Sequence, residues 1–244
     1  MQQKLHSKGK CVFCEEEFSK TSIVRHLNTH LAQKVMEGKP GLSFHIKIET
    51  NPRWGSTLYF LMLWVDGNAT LEKVDDLLRL IWLECCGHMS AFRLPRRKQG
   101  SWSHSFSPLE LSNIPMDDGE IPMDKKVKHL FSKDLILQYD YDFGSTTSLQ
   151  LTVVEVFEVK ADKPLVLLSR NERPEILCET CGKKIATQLC SVCSNEETLF
   201  CDACAKKHAK KCKDFADYAA MPVVNSPRMG VCAYDGGVID KERD

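Results

Sequence analysis

The sequence predicts an α+β domain flanked by two small cysteine-rich modules. The 244-residue chain contains twelve cysteines, and nine of them lie in two groups, at residues 11–14 and 178–212. Between these groups the chain holds only Cys85 and Cys86, and its apolar residues follow strand-like and helix-like spacings in turn. At roughly 150 residues per domain, this length fits one larger domain with small additions.

The composition excludes several classes of protein. The hydrophobic content of 43% is ordinary for a globular chain. The longest apolar run, residues 58–65, is far shorter than the roughly 20 residues that span a bilayer, so no membrane partner is expected. Lys and Arg total 33, as do Asp and Glu, so strong non-specific attraction to nucleic acid is not expected. Residues 1–10 lack the apolar segment of a secretory signal, which predicts a cytoplasmic protein with reduced, metal-binding cysteines.

The central segment, residues 41–172, is predicted to contain several strands and one amphipathic helix. Alternating apolar residues at 42–48 predict a half-buried strand, and the continuous run at 58–65 predicts a more buried one. Apolar spacing over residues 71–85 predicts a helix with Thr70 as its N-cap and Gly87 as its stop. Residues 95–124 are predicted to form a long loop. Further strands are expected at 134–141, at 149–159 with a bulge near Val153, and at 165–168.

The first cysteine-rich module, residues 1–38, has the ligand spacing of a zinc site. Cys11 and Cys14 are two residues apart, and His26 and His30 are one helical turn apart. Two thiolates and two imidazoles in this pattern can complete a tetrahedron around zinc. The pattern resembles the two-cysteine, two-histidine zinc finger, although eleven rather than the usual twelve residues separate the pairs. The alternative is a helix with incidental histidines and a surface cysteine pair.

A role for this finger in reading nucleic acid rests on few residues. In the zinc-finger family, bases are contacted from positions that correspond here to Ser19, Ser22 and Arg25. Of these three, only Arg25 has the forked guanidinium that suits guanine. A single finger covers about 3 bp, so a structural or protein-binding role is at least as well supported as binding to DNA or RNA.

The second module, residues 175–215, contains eight zinc ligands in four pairs, which is enough for two structural zinc ions. Its spacing resembles the B-box and MYND-type cross-brace modules, which mostly bind proteins or peptides and in which alternate pairs share a metal. The resemblance implies one zinc on Cys178, Cys181, Cys201 and Cys204, and another on Cys190, Cys193, His208 and Cys212. Pairing in sequential order is the competing arrangement. A disulfide framework is a further alternative, which a reducing compartment disfavours.

The regions outside these motifs have plainer interpretations. In the second module, lysines cluster at Lys206, Lys207, Lys210, Lys211 and Lys213. They are interpreted as a solvated face, with a patch that binds phosphate or an acidic partner as the alternative. The C-terminal tail, residues 216–244, is expected to dock onto the body or a partner. Arg228 would favour the thiolate of Cys232 in this tail, but docking is preferred over nucleophilic catalysis. Cys85 and Cys86 are interpreted as buried or half-buried small residues at a helix end.

Two stretches of the central segment resemble the Ri-plasmid ORF-three-like family, which also travels as a passenger of insertion elements. They are residues 71–94, including Gly87 and His88, and the run Tyr-Asp-Tyr-Asp-Phe-Gly at 139–144. The resemblance covers roughly residues 42–160 and implies an α+β fold with no characterised activity. The chain departs from the family at Gly55 and Ser90 and after residue 144, while it keeps His88, Asp140 and Asp142. These departures indicate a retained scaffold.

Three functions are compatible with these observations. The preferred one is a non-catalytic adaptor that holds three structural zinc ions and binds a protein or peptide. The second is a nucleic-acid-binding protein that uses the finger and the basic second module. The third is an enzyme of unknown reaction, centred on Cys232 or on Asp140 and Asp142 as paired carboxylates. The first is preferred because each predicted zinc has four protein ligands, which leaves no open position for a substrate.

Overall fold

An antiparallel sheet of seven strands lies at the centre of the computed structural model, which describes residues 5–51, 58–95, 119–193 and 198–238. A hairpin of β1 (Lys8–Lys10) and β2 (Glu17–Ser19) precedes it. The strands of the sheet are β3 (Pro40–Thr50), β4 (Phe60–Asp66), β5 (Ser90–Arg93), β6 (Glu120–Ile121), β7 (Ile136–Tyr141), β8 (Thr147–Val159) and β9 (Leu165–Arg170). Their spatial order is β6-β5-β7-β8-β3-β4-β9. The fold is therefore mixed α+β, as predicted.

Helices cover both faces of this sheet. On one face lies α1 (Lys20–Glu37), and on the other lies α2 (Leu71–Leu78), which continues as one π-helical turn, Arg79–Leu83. Strand β4 is buried between them, with Phe60, Met62 and Trp64 packed towards α1 and Leu61, Leu63 and Val65 towards α2. Burial on both faces explains why this strand is apolar without alternation. No helix among the described residues is both long and apolar enough to cross a membrane.

The predicted elements agree with the structure except at their ends. The pairing of β3 with β8 shifts register where His45 faces Glu155 and Ile46 faces Val153, which confirms the bulge near Val153. The helix after Thr70 ends at Leu83 rather than continuing to Cys85, and Gly87 lies in the following turn with φ of 77°. Most of the predicted loop at 95–124 lies outside the described residues, and its described end contains strand β6.

The C-terminal third of the chain forms a smaller unit. Strands β10 (Gln188–Cys190), β11 (Leu199–Phe200) and β12 (Ala220–Pro222) make a three-stranded sheet in the order β11-β10-β12. Helix α3 (Asp202–His208) and a π-helical turn, Phe215–Ala219, lie between β11 and β12. The described part of the tail then packs against the π-helical turn that continues α2. Ser226 Oγ donates to the Trp82 carbonyl, and a Cβ on Gly237 would lie only 2.0 Å from the Ile81 carbonyl oxygen.

A buried histidine links α1 to the sheet and predicts a pH dependence. His45 on β3 is fully buried, and its Nδ1 contacts the side-chain oxygen of Asn28. Burial lowers the pKa of His45 to about 4, against the attraction of Glu155, so the imidazole is neutral in the folded protein. The unfolded chain takes up this proton near pH 6.5, before the folded protein does. Stability that is complete above pH 6.5 is therefore lost as the pH falls towards 4, by about 2 kcal/mol at pH 5.

Urea unfolding at pH 7 and pH 5 tests this contribution. The His45→Gln variant cannot titrate at this position, so we expect its stability to fall less between the two pH values than that of the wild type. Any other acid-sensitive group is common to both proteins and cancels in the comparison. Equal losses in the two proteins would show that His45 does not carry the effect.

Candidate metal centres

Among the residues that the structure describes, four groups of cysteine and histidine side chains have ligand atoms that all lie within 4.8 Å of one another. The finger cluster is Cys11, Cys14, His26 and His30; the four-cysteine cluster is Cys178, Cys181, Cys201 and Cys204; the mixed cluster is Cys190, Cys193, His208 and Cys212; the tail cluster is Cys85, Cys86, His88 and Cys232. All twelve cysteines of the chain are free thiols and belong to one of these groups. Each group offers four ligands of the kind that zinc prefers.

The finger cluster is assembled by the β1–β2 hairpin and the middle of α1. Cys14 Sγ lies 3.3 Å from His26 Nε2, which lies 3.2 Å from His30 Nε2. Phe18 stacks on the His26 ring with 4.0 Å between centroids. Burial, followed by the nearby His30, lowers the pKa of His26. A lowered pKa favours the neutral imidazole, which is the form that binds a metal.

The finger is fused to the central sheet rather than attached by a tether. The apolar stripe of α1 that includes Leu27 and Leu31 belongs to the same hydrophobic cluster as Cys11 and Trp64. The hairpin also bonds to the edge of β9, because the Val12 amide donates to the Leu168 carbonyl at 3.0 Å. Packing against the sheet therefore contributes to the stability of the finger together with any metal.

The positions that contact bases in the finger family differ in how free they are to do so in this chain. Ser19 is the N-cap of α1, and its hydroxyl accepts from the Ser22 amide at 3.2 Å. Arg25 is exposed on the helix. Three glutamates of the hairpin, Glu15, Glu16 and Glu17, are also exposed, and their charges oppose the approach of a phosphate backbone.

The eight ligands of the second module group as alternating pairs. In the four-cysteine cluster, Cys181 Sγ lies 4.0 Å from Cys201 Sγ. In the mixed cluster, Cys193 Sγ lies 3.6 Å from His208 Nε2 and 3.9 Å from Cys212 Sγ. The first and third pairs thus meet at one point and the second and fourth pairs at another. This is the grouping that the cross-brace resemblance implies, and the sequential arrangement does not match the geometry.

The thiols of this module are electrostatically inequivalent. Backbone N–H groups of Lys183 and Lys184 lower the pKa of Cys181 to about 6, which favours its thiolate. The neighbouring Cys190 raises the pKa of Cys193 to about 12, and burial raises that of Cys204 to about 12. Crowded sulfurs of this kind ionise together only with a cation between them, so binding of a metal is accompanied by release of protons.

The tail cluster joins residues from the turn after α2 to the C-terminal tail. Cys86 Sγ lies 3.7 Å from Cys85 Sγ, 3.0 Å from His88 Nε2 and 3.6 Å from Cys232 Sγ. Cys85 is half-buried, whereas Cys86 and Cys232 are exposed. The interpretation of Cys86 as a buried or half-buried residue is therefore wrong. The sequence did hold one signal for this group, since three cysteines remain once the other clusters are assigned, and His88 is only two residues from Cys86.

The ligand separations fit a tetrahedral zinc ion. With Zn–S bonds of about 2.3 Å and Zn–N bonds of about 2.0–2.1 Å, tetrahedral geometry separates two sulfurs by about 3.8 Å and two nitrogens by about 3.3 Å. The S–S separations given above run from 3.6 to 4.0 Å, and the His26–His30 separation is 3.2 Å. A disulfide, by contrast, requires sulfurs about 2.0 Å apart. The donor set and the spacing therefore both suit zinc.

Asp142, beside the tail cluster, and Asp140, two residues earlier in the chain, are both bound to arginines. Arg228 is fully buried and donates to Asp142 Oδ2 at 2.7 Å, and this contact holds the pKa of Asp142 at about 2. Asp140 accepts from Arg93 at 3.1 Å and from Ser148. Each carboxylate is thus engaged by its own arginine. This arrangement does not support Asp140 and Asp142 as an acid–base pair.

The contacts of His88 also argue against a catalytic cysteine. Cys232 Sγ lies 3.3 Å from His88 Nε2, and Asp142 Oδ2 lies 3.5 Å from the same nitrogen. In a Cys–His–Asp arrangement the base uses one ring nitrogen for the nucleophile and the other for the carboxylate. Here both contacts fall on one nitrogen, and Asp142 is already paired with Arg228. The geometry resembles a ligand cluster more than a triad.

Comparisons with known proteins give little further guidance. No protein-family model and no curated protein match this chain. Among solved structures, the protein of unknown function MM3350 from Methanosarcina mazei Go1 aligns with a TM-score of 0.37 and 15% identity, over 54% of this chain and 68% of that one. A similarity this weak carries no argument. The resemblance to the Ri-plasmid ORF-three-like family therefore stays a prediction.

Proposed function

We propose that this chain is a zinc-stabilised adaptor that binds a protein or peptide partner and has no catalytic site of its own. Zinc would occupy the finger, four-cysteine and mixed clusters, in a reducing compartment such as the cytoplasm. The observation that carries the proposal is the closure of these clusters: each has four protein ligands within 4.8 Å of one another. A catalytic zinc keeps one position for water or substrate, whereas a structural zinc does not.

The second module offers a surface that suits an acidic partner. Five of its seven lysines cluster near its C-terminal end and are exposed; this basic face comprises Lys206, Lys207, Lys210, Lys211 and Lys213. Tyr218, in the adjacent π-helical turn, is 70% exposed. Aromatic side chains are enriched where proteins bind one another, and flanking cations speed the encounter with an acidic partner. We therefore propose that the partner binds this face.

Nucleic acid is the competing ligand, and the finger offers it little. Arg25 is the single base-reading candidate of the finger with a guanidinium, and the exposed Glu15, Glu16 and Glu17 lie in the adjacent hairpin. A ligand that depends on phosphate contacts loses affinity steeply as salt is raised. Sensitivity to nuclease and to salt therefore distinguishes a nucleic-acid ligand from a protein partner.

Crosslinking pull-down with the zinc-loaded, full-length chain tests the proposal. The bait is presented to a lysate of its native cells, with and without nuclease, and the Lys206→Glu/Lys210→Glu variant is compared with the wild type. We expect a specific protein that survives nuclease treatment and is depleted at least tenfold by the double variant. The loss follows because charge reversal removes two attractions and adds two repulsions to an acidic surface.

The matched control reverses two exposed lysines of the central domain, in the Lys160→Glu/Lys163→Glu variant. This variant has the same net charge as the test variant and should retain the partner. Recovery of nucleic acid instead, abolished by nuclease or by moderate salt, would replace the adaptor with the nucleic-acid hypothesis. Equal depletion by both variants would remove the basic face from the proposal.

A further inference from the structure

We propose that the tail cluster is a fourth zinc site, which fastens the C-terminal tail to the turn after α2. Its ligands are Cys85, Cys86, His88 and Cys232, a three-cysteine, one-histidine set. Cys86 and Cys232 are 146 positions apart in the chain, so a shared ion would cross-link the tail to the central domain. This site goes beyond the three zinc ions of the proposed function and does not depend on the identity of any partner.

Among the pairs in direct contact, the sulfur–sulfur distances match a tetrahedral site and the sulfur–nitrogen distances are shorter than one requires. Its two S–S contacts, from Cys86 to Cys85 and from Cys86 to Cys232, are 3.7 and 3.6 Å, against about 3.8 Å for two thiolates on one zinc. His88 Nε2 lies 3.0 and 3.3 Å from the sulfurs of Cys86 and Cys232, against about 3.6 Å for sulfur and nitrogen ligands. Binding of an ion would therefore require the His88 ring to move a few tenths of an ångström away from the two sulfurs, while the S–S distances stay nearly unchanged.

The backbone places these side chains by departing from regular structure. Neighbouring residues such as Cys85 and Cys86 point in different directions on a helix or strand, and they converge here because the chain has left the π-helical turn at Leu83. Gly87 has φ of 77°, a conformation that favours glycine, and it turns the chain so that His88 faces Cys86. Cys232 has φ of 51°, which is uncommon for a residue with a side chain.

The surroundings of the cluster supply the second layer of contacts that metal sites need. Arg79 donates to the His88 carbonyl at 2.8 Å, which fixes the turn that carries the histidine. Arg228 donates to Cys85 Sγ at 3.5 Å and to Asp142 at 2.7 Å. Three thiolates and one zinc leave one negative charge, and a buried guanidinium beside the sulfur stabilises it. Such hydrogen bonds to ligands are typical of protein metal sites.

The exposure of this cluster distinguishes it from the two clusters of the second module. Cys86 and Cys232 are both exposed, whereas three ligands of the four-cysteine cluster are buried. A zinc ion in the tail cluster would therefore lie within reach of solvent and of competing chelators. We expect it to leave first when a chelator is added slowly, ahead of the ions in the second module.

Native mass spectrometry of the full-length chain, purified without added metal, tests the site. The wild type should carry four zinc ions, and the Cys86→Ser and Cys232→Ser variants should each carry three. Met89→Ser changes an exposed side chain beside His88 that is not a ligand, and it should keep four. Cys14→Ser should also carry three, and its combination with Cys232→Ser should carry two, which assigns the losses to separate sites.

Hydrogen exchange provides a second readout that does not depend on counting ions. Loss of the fourth ion should speed exchange in residues 229–238 while leaving β3 and β8 unchanged. Because Cys86 and Cys232 are exposed, their replacement by serine is not expected to unfold the protein.

Several results would overturn the inference. Three zinc ions in the wild type, unchanged by Cys232→Ser, would remove the fourth site and leave the proposed function standing. A wild-type mass lower by two hydrogens, with Cys86 and Cys232 resistant to alkylation, would identify a disulfide instead of a zinc site. A fourth ion that binds only in excess zinc would identify an adventitious ion only.

Discussion

Removal of zinc by a strong chelator is expected to unfold the second module while the central sheet stays folded. Among its described residues, this module has two small hydrophobic clusters. One consists half of ligands, Cys178, Cys190, Cys201 and Cys204, together with Phe200, Ala205, Phe215 and Ala219; the other is Ala186, Leu189, Met221 and Val223. So little apolar surface cannot offset the loss of chain entropy without the metal. Zinc binding contributes an apparent 10–16 kcal/mol, roughly, in small zinc-stabilised domains, so its loss exceeds any plausible stability of the module.

The measurement is hydrogen exchange on the full chain, before and after chelation, with loss of zinc verified by mass. Amides of β10, β11 and α3 should lose protection, while those of β3, β4 and β8 keep it. The Cys178→Ser variant should reproduce the effect without chelator, because Cys178 is fully buried. Thr180→Ala, at an exposed position between two ligands, should not. Unchanged protection of the second module after complete zinc loss would show that zinc does not stabilise it.

The strands of the central sheet could be predicted from the sequence because each is marked by a local pattern of apolar residues. The alternation at residues 42–48 and the apolar run at 58–65 correspond to β3 and β4. Their pairing partners were not predictable in the same way, because strand order depends on contacts between distant segments. The helix after Thr70 ended early for a related reason. Its last turn widens to a π-helix, where Ile81 and Trp82 are fully buried, and tertiary packing outweighs local periodicity there.

For the metal centres too, what lies close together in the sequence could be predicted, and what depends on contacts between distant segments could not. Ligands of the finger cluster lie within 20 residues of one another and those of the second module within 35, so spacing alone was enough to pick out the ligands. It did not decide how the four pairs of the second module combine, because a sequential pairing fitted the spacing as well as the alternating one that the cross-brace resemblance implied. The tail cluster depends on the meeting of Cys86 with Cys232, which only the docking of the tail brings about. Examined separately, Cys85 and Cys86 resembled small packing residues and Cys232 a lone thiol. The feature that binds the tail at this point is Arg228, whose burial is not evident from the sequence.

Replacement of Arg228 by methionine is expected to destabilise the protein by about 3–5 kcal/mol, because it leaves a buried carboxylate without its partner. The Arg228 side chain is fully buried, and its guanidinium bonds to Asp142, to Thr147 Oγ1 at 3.1 Å and to the Ser145 carbonyl at 3.1 Å. It also lies 4.8 Å from the centre of the Tyr141 ring. Methionine keeps the length of the side chain but forms none of these polar contacts.

Urea unfolding of wild type, Arg228→Met, Asp142→Asn and the double variant measures this coupling. We expect the double variant to lose less stability than the sum of the two single variants, since the second change removes the charge that the first leaves unpaired. Lys73→Met breaks the exposed pair with Asp76, in which both side chains are 57% exposed, and should cost no more than about 1 kcal/mol. If Arg228→Met cost as little as Lys73→Met, the tail would not be held by this ion pair, and the position of Cys232 beside Cys86 would need another cause.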